Sequence, residues 1–93
     1  MKAIWNGNTI AESNDIVEVE GNPYFPLASV DQALLRDSEH KTTCFWKGVA
    51  SYYSIEVDGQ VNENAAWFYA DPKPEASMVK GRVAFWRGVE IVG

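Results

Sequence analysis

The chain has 93 residues, 46% of them hydrophobic and 23% charged, enough for one core and one domain over residues 1–93, which excludes a chain kept disordered by lack of apolar side chains. Its net charge of −5 sits in residues 1–40, where seven acids outnumber two bases; residues 41–93 carry six of each sign, and such a chain repels a phosphate backbone, so no nucleic-acid partner is expected. One cysteine and one histidine exclude an internal disulfide and a four-ligand Cys/His zinc site, so neither a metal nor a cofactor is expected and stability rests on packing.

Lys2 to Asn6, Thr9 to Glu12 and Ile16 to Glu20 alternate or carry β-branched residues between the turn formers Asn6-Gly7-Asn8 and Ser13-Asn14-Asp15, which predicts three short antiparallel strands. Ser29, with Gln32 three positions on, forms a capping pair, and Val30, Ala33 and Leu34 share one face, which predicts two turns of helix. The polar stretch Asp37 to Cys44 reads as an inserted loop and holds the only histidine and the only cysteine. Val49 to Val57 is the longest predicted strand. Asp58-Gly59 is a two-residue hairpin signal, and the chain returns through Val61 and Ala66 to Tyr69 before Pro72 and Pro74 end it. A second short helix from Glu75 to Lys80 stops at Gly81, and a strand from Val83 to Val92 closes the chain.

An internal echo organises these elements. Trp-x-Gly occurs at Trp5, Trp46 and Trp86, and the last two extend to Phe-Trp-basic-Gly-Val. Val17-Glu18-Val19-Glu20-Gly21 and Ile55-Glu56-Val57-Asp58-Gly59 match in pattern, and Pro-x-Ala-Ser recurs at Pro26 and Pro74. Two hairpin-plus-short-helix units, about residues 3–37 and 44–81, follow, with a closing strand over 83–92. On this reading Trp46 and Trp86 are equivalent, and residues 36–44 have no counterpart. The fold class is mainly β with two short helices.

Twelve aromatic residues are more than so small a core can bury completely. In Trp67-Phe68-Tyr69, strand alternation sets Trp67 and Tyr69 on one face and Phe68 on the other. Ala66, small and on Phe68's side, assigns Phe68 to the core. A pocket formed by Tyr24, Trp46, Lys47, Tyr52, Trp67 and Tyr69, edged by His40, suits a planar or anionic small molecule, with Lys41 and Lys47 as cations. An enzymatic alternative makes Cys44 a thiolate nucleophile with His40 as its base. A third makes the outward aromatics the face of a homodimer or partner complex. Glu18 and Glu20, two apart on a predicted strand, could hold a cation, but alternating acids are the ordinary solvent face of such a strand.

The segments His40-Lys41-Thr42-Thr43-Cys44-Phe45-Trp46-Lys47-Gly48, Ala66-Trp67-Phe68-Tyr69 and Val83-Ala84-Phe85-Trp86, with Trp5-Asn6-Gly7 and Tyr24-Phe25-Pro26 in the first half, resemble the bacterial family numbered 427 among domains of unknown function. One departure is Phe45, where the family pattern usually has proline. The resemblance implies a tent of two antiparallel sheets packed at an angle, similar to B-type methionine sulfoxide reductases and the drug-binding domain of cereblon. Most of those relatives bind zinc through four cysteines, which this chain lacks. A nucleotidyltransferase-like label sometimes attached to the family implies metal-binding carboxylates and a phosphate loop; no Gly-rich phosphate loop is present. The longest apolar run, Ala65 to Ala70, falls far short of the roughly 20 residues that span a bilayer, and no basic-then-apolar leader opens the chain, so a soluble cytoplasmic protein is expected.

Overall fold

A computed structural model describes all 93 residues. Nine strands form two antiparallel sheets: β1 (Lys2–Trp5), β2 (Asn8–Glu12), β3 (Val17–Val19), β4 (Asn22–Pro26), β5 (Leu35–Cys44), β6 (Gly48–Val57), β7 (Gln60–Phe68), β8 (Arg82–Phe85) and β9 (Glu90–Val92). The smaller sheet has the order β2-β1-β9, and the larger β3-β4-β8-β7-β6-β5. No helix is long and apolar enough to cross a membrane.

Tight turns follow from local chemistry. Asn6-Gly7, Glu20-Gly21 and Asp58-Gly59 all have positive φ at both residues, the left-handed pair that closes a two-residue hairpin with the twist of its strands. The two predicted helices are instead 3₁₀ turns at Leu27–Ser29, Gln32–Leu34 and Pro74–Val79. Ser29 caps nothing: its hydroxyl donates to the Pro26 carbonyl (2.7 Å), and Asp31 accepts from the Ala33 N–H (3.3 Å) in its place. Leu35, already extended at φ −89° and ψ 143°, stops the second turn after three residues.

Two other expectations change. The supposed loop 37–44 is most of β5, a ten-residue edge strand paired with β6 from Leu35↔Ile55 to Cys44↔Gly48. Charged and hydroxyl side chains on both faces hide the strand period, which is how an exposed sheet edge avoids pairing with other chains. The closing strand 83–92 is two strands in different sheets, since Trp86-Arg87-Gly88 turns the chain, with φ 54° at Arg87 and 84° at Gly88, from β8 into β9.

The echoed segments share a few local elements. The hairpins β3–β4 and β6–β7 are each followed by a 3₁₀ turn, and the returning strand of each, β4 and β7, flanks β8. Beyond that the strand order of residues 3–37 differs from that of 44–81, because β1 and β2 lie in the other sheet. Trp46 and Trp86 also differ: the first is half-buried in the β5–β6 turn, the second is 42% exposed after β8.

The larger sheet carries a core on each face. Phe25, Ile55, Val57, Ala66, Val83 and Phe85 pack against Ala3, Ile10 and Ala11 of the smaller sheet. Their strand neighbours point the other way: Tyr24, Tyr52, Tyr69 and Ala84 form a second cluster with Ala76 and Val79 of the last 3₁₀ turn. That turn covers only part of the second face, and the aromatic rings beside it form the candidate site.

Candidate functional site

Alternation within single strands builds the site. On β7, Trp67 joins the second cluster while Phe68 packs toward the first. Phe68 is half-buried rather than enclosed, and stacks on Tyr53 with centroids 4.6 Å apart and planes 20° from parallel. Tyr24, fully buried on β4, accepts a hydrogen bond from the Trp67 indole N–H (3.1 Å), with the two rings edge to face at 6.2 Å. Trp67 meets Trp86 edge to face at 5.9 Å, and Trp86 lies 6.5 Å from Tyr52. Lys47, Tyr52, Trp67, Tyr69 and Trp86 line a pocket of about 170 Å³.

Asn64 fixes the exposed wall. Between Asn62↔Ile55 and Ala66↔Tyr53, strand β7 carries more residues than β6, and Asn64 takes the left-handed conformation (φ 54°) in this bulge. Its N–H donates to the Ser54 hydroxyl (3.1 Å), its side-chain oxygen accepts from the Ser38 hydroxyl, and its carbonyl accepts the Trp86 indole N–H (2.6 Å). A matching bulge in β5, between Asp37 and Lys41, contains His40, whose ring lies 4.6 Å from that of Tyr52. Thr42 Oγ1 and the Tyr52 hydroxyl share a 2.9 Å hydrogen bond on the same face. Sequence reasoning missed Asn64 and Trp86 as site residues; the Trp-x-Gly echo was the only signal for Trp86.

Lys47 supplies the charge. It is 6% exposed, a rare state for lysine unless paired, and its ammonium donates to the carboxylate of Glu20 on the β3–β4 turn. Nζ also lies 5.3 Å from the centroid of Trp46 and 5.5 Å from that of Tyr69. Gly48, at φ 110°, permits the backbone path that turns Lys47 inward. The loop is pinned from outside by the Lys73 N–H, which donates to the Lys47 carbonyl (2.9 Å), and by the Lys73 ammonium on the Phe45 carbonyl. Phe45 is 86% exposed.

Titration behaviour follows from this packing. Burial, the largest influence on Lys47, disfavours its charge, but the Glu20 hydrogen bond and the negative potential of Tyr24, Tyr69 and Glu20 outweigh it and leave the ammonium above the ordinary value of 10.5. The Lys47 hydrogen bond holds Glu20 below the ordinary 4.5. Burial raises both Tyr24 and Tyr69 above 10.0, although the Trp67 bond and the nearby Lys47 charge oppose it.

Of the residues singled out in the sequence, Lys47, Tyr52, Trp67 and Tyr69 therefore converge on one pocket. Tyr24 lies behind its wall and Trp46 beside Lys47, both outside the lining. His40 covers the outer edge of Tyr52. Cys44 is half-buried against the second cluster, and regularly paired strand from Lys41 to Cys44 separates it from His40 in the bulge. Three other depressions lack a buried charge, one of them of about 410 Å³ at the end of the smaller sheet, beside Lys2, Glu12 and Val92. A groove of about 230 Å³ beside Leu27, Tyr53 and Phe68 has Lys80 and Arg82 at its rim, Arg82 being bonded to Asp15 (3.0 Å). A wide depression between the two bulges is lined by exposed polar side chains such as Arg36, Asp37, Glu39 and Glu63.

Residues 1–92 match the family described as "Domain of unknown function (DUF427)", with the short name NTP_transf_9. The chain belongs to this family. A comparison with curated proteins gives no match. Nucleotidyl transfer, which the short name suggests, requires carboxylates converging on a metal. No group of three His, Cys, Asp or Glu side chains converges anywhere in this domain. Glu18 and Glu20 do not share a strand face either, since Glu20 belongs to a turn (φ 56°) and holds Lys47. The donor set of this DUF427 domain does not fit such a metal.

Proposed function

We propose that this DUF427 domain binds a small planar ligand between Tyr52, Trp67 and Trp86, with Tyr69 behind it and the Lys47 ammonium at its edge. The observation that carries the reading is a nine-tenths buried lysine opening into a pocket whose other four lining residues are all aromatic. Rings supply flat contact area at low entropic cost, and the ammonium fixes orientation. The volume suits a single ring: a cavity of about 150 Å³ accommodates benzene, whereas sites enclosing larger organic ligands run to roughly 300–1,000 Å³. A nucleotide would not be enclosed. The same reading takes the two sheets as the slopes of a tent, with the aliphatic cluster between them and the pocket on the outer slope.

The test is a titration with benzamide, followed by tryptophan fluorescence, on the parent protein and on Trp86→Ala. Trp86 is 42% exposed at the pocket wall, so its truncation should leave the fold intact while weakening benzamide about tenfold or more. Equal affinity in the two proteins contradicts the pocket assignment.

A further inference from the structure

Lys47 has three ammonium donors: Glu20 takes one as the charged acceptor, the Tyr69 side chain supplies a weaker hydrogen bond, and the faces of Trp46 and Tyr69 lie beside them. With three donors and a single charged acceptor the buried ammonium keeps donor capacity for a ligand, because desolvation of a charge is offset only when its donors find partners. That acceptor reaches in from the surface. The Glu20 side chain is 51% exposed, against 7% for Lys47, and it stands on a two-residue hairpin turn at the rim. Besides Lys47, the Trp46 side chain contributes a hydrogen bond to the Glu20 carboxylate; both contacts lie at a half-exposed rim where water can replace them. Lys47 faces the pocket; Glu20 does not line it and approaches the ammonium from outside.

We infer that Glu20 is a built-in stand-in for the ligand's own anionic group. The ligand class is then a monocyclic aromatic carboxylate, whose ring enters between Tyr52, Trp67 and Trp86 and whose carboxylate takes the Lys47 ammonium from Glu20. Displacement is favoured over sharing, since two carboxylates on one ammonium repel each other and Glu20 has water to move into. Glu20 thereby sets specificity: it weakens every anionic ligand by direct competition and leaves neutral ones untouched. The inference rests on the pocket reading above and adds the ligand's charge and the role of Glu20.

The experiment titrates benzoate and its neutral counterpart benzamide against the parent protein, Glu20→Gln and Lys47→Met, reading the indole N–H resonances of Trp67 and Trp86. Glu20→Gln keeps a hydrogen-bond acceptor for Lys47 but removes the charge. The expected result is about tenfold tighter benzoate binding in Glu20→Gln, with benzamide changed less than about twofold. Lys47→Met should lose benzoate and retain benzamide; should that variant fail to fold, Glu20→Gln decides alone, because its side chain is at the surface. Benzoate affinity unchanged in Glu20→Gln, with benzamide still binding, overturns the role of Glu20 while the pocket stands. Absence of saturable shifts from either compound in any of the proteins overturns both.

Discussion

The two faces of the larger sheet use the same strands to different ends. Toward the smaller sheet the side chains are Phe25, Ile55, Val57, Ala66, Val83 and Phe85, which bring no side-chain polar atom into the interior. Toward the other side, one position along, stand Tyr24, Tyr52, Trp67 and Tyr69, each with a hydroxyl or indole N–H, together with a buried lysine. An aliphatic face can be closed completely by another apolar layer. A face of amphipathic rings must keep its polar atoms partnered, which leaves an incomplete cover and a place for a ligand. On the proposed ligand-binding reading, the domain separates stability from recognition across the thickness of one sheet.

The sharpest break between the faces is in stability. Phe25 is wholly enclosed and packs edge to face with Phe85 at 5.6 Å, so Phe25→Ala should cost about 3–5 kcal/mol in denaturant unfolding. Phe68→Ala and Trp67→Ala, both truncating half-buried rings, should cost about 1–3 kcal/mol each, and only Trp67→Ala should affect ligand binding. A Trp67→Ala variant as unstable as Phe25→Ala would make the aromatic face a second ordinary core.

Asn64→Ala loses the side-chain partner of Ser38 and puts an alanine where the backbone is left-handed, which loosens the bulge and the carbonyl that holds Trp86. A cost of about 1–2 kcal/mol is expected, with the Trp86 indole N–H losing its protection from hydrogen exchange. Preserved protection would mean that Trp86 is held independently of the bulge.

The smallest effect is a pH dependence confined to the aromatic face. Tyr24 and Tyr69 have raised values, so above pH 10.0 the unfolded chain ionises while the folded one resists; their contribution is whole below that pH and is lost as pH rises. Lys47 is also raised, so its contribution is whole below 10.5 and disappears above it. Unfolding at a series of alkaline pH values should show this decline, flattened in the Tyr24→Phe/Tyr69→Phe double variant. An identical slope in that variant would assign the decline elsewhere. At the acid end the depressed Glu20 contributes above 4.5 and less as pH falls, a small change because its side chain is half exposed.

What was legible in the sequence is what local chemistry determines. The Asn6-Gly7 and Asp58-Gly59 turns need a left-handed pair, and the opposite facing of Trp67 and Phe68 needs only the strand period. Strand β5 was hidden because polar residues on both faces of an edge strand leave no hydrophobic period. The helical pattern at residues 29–34 was overridden by the backbone of Val30 and Leu35, extended at ψ 136° and 143°, which leaves room for single 3₁₀ turns only. The division of residues 83–92 between two sheets depends on pairing with β1 and β7, long-range contacts that no local pattern contains. Lys47 was recognised as a cation, but its burial depends on Glu20, 27 positions away.

The most direct measurement compares tryptophans on the two faces of the same molecule. Under titration with benzamide, the indole N–H resonances of Trp67 and Trp86 should move together and saturate. That of Trp5, half-buried against the aliphatic cluster, should stay fixed. Saturable movement of Trp5 to the same extent, or no saturable movement at Trp67 and Trp86, would contradict the assignment of the aromatic face to ligand binding.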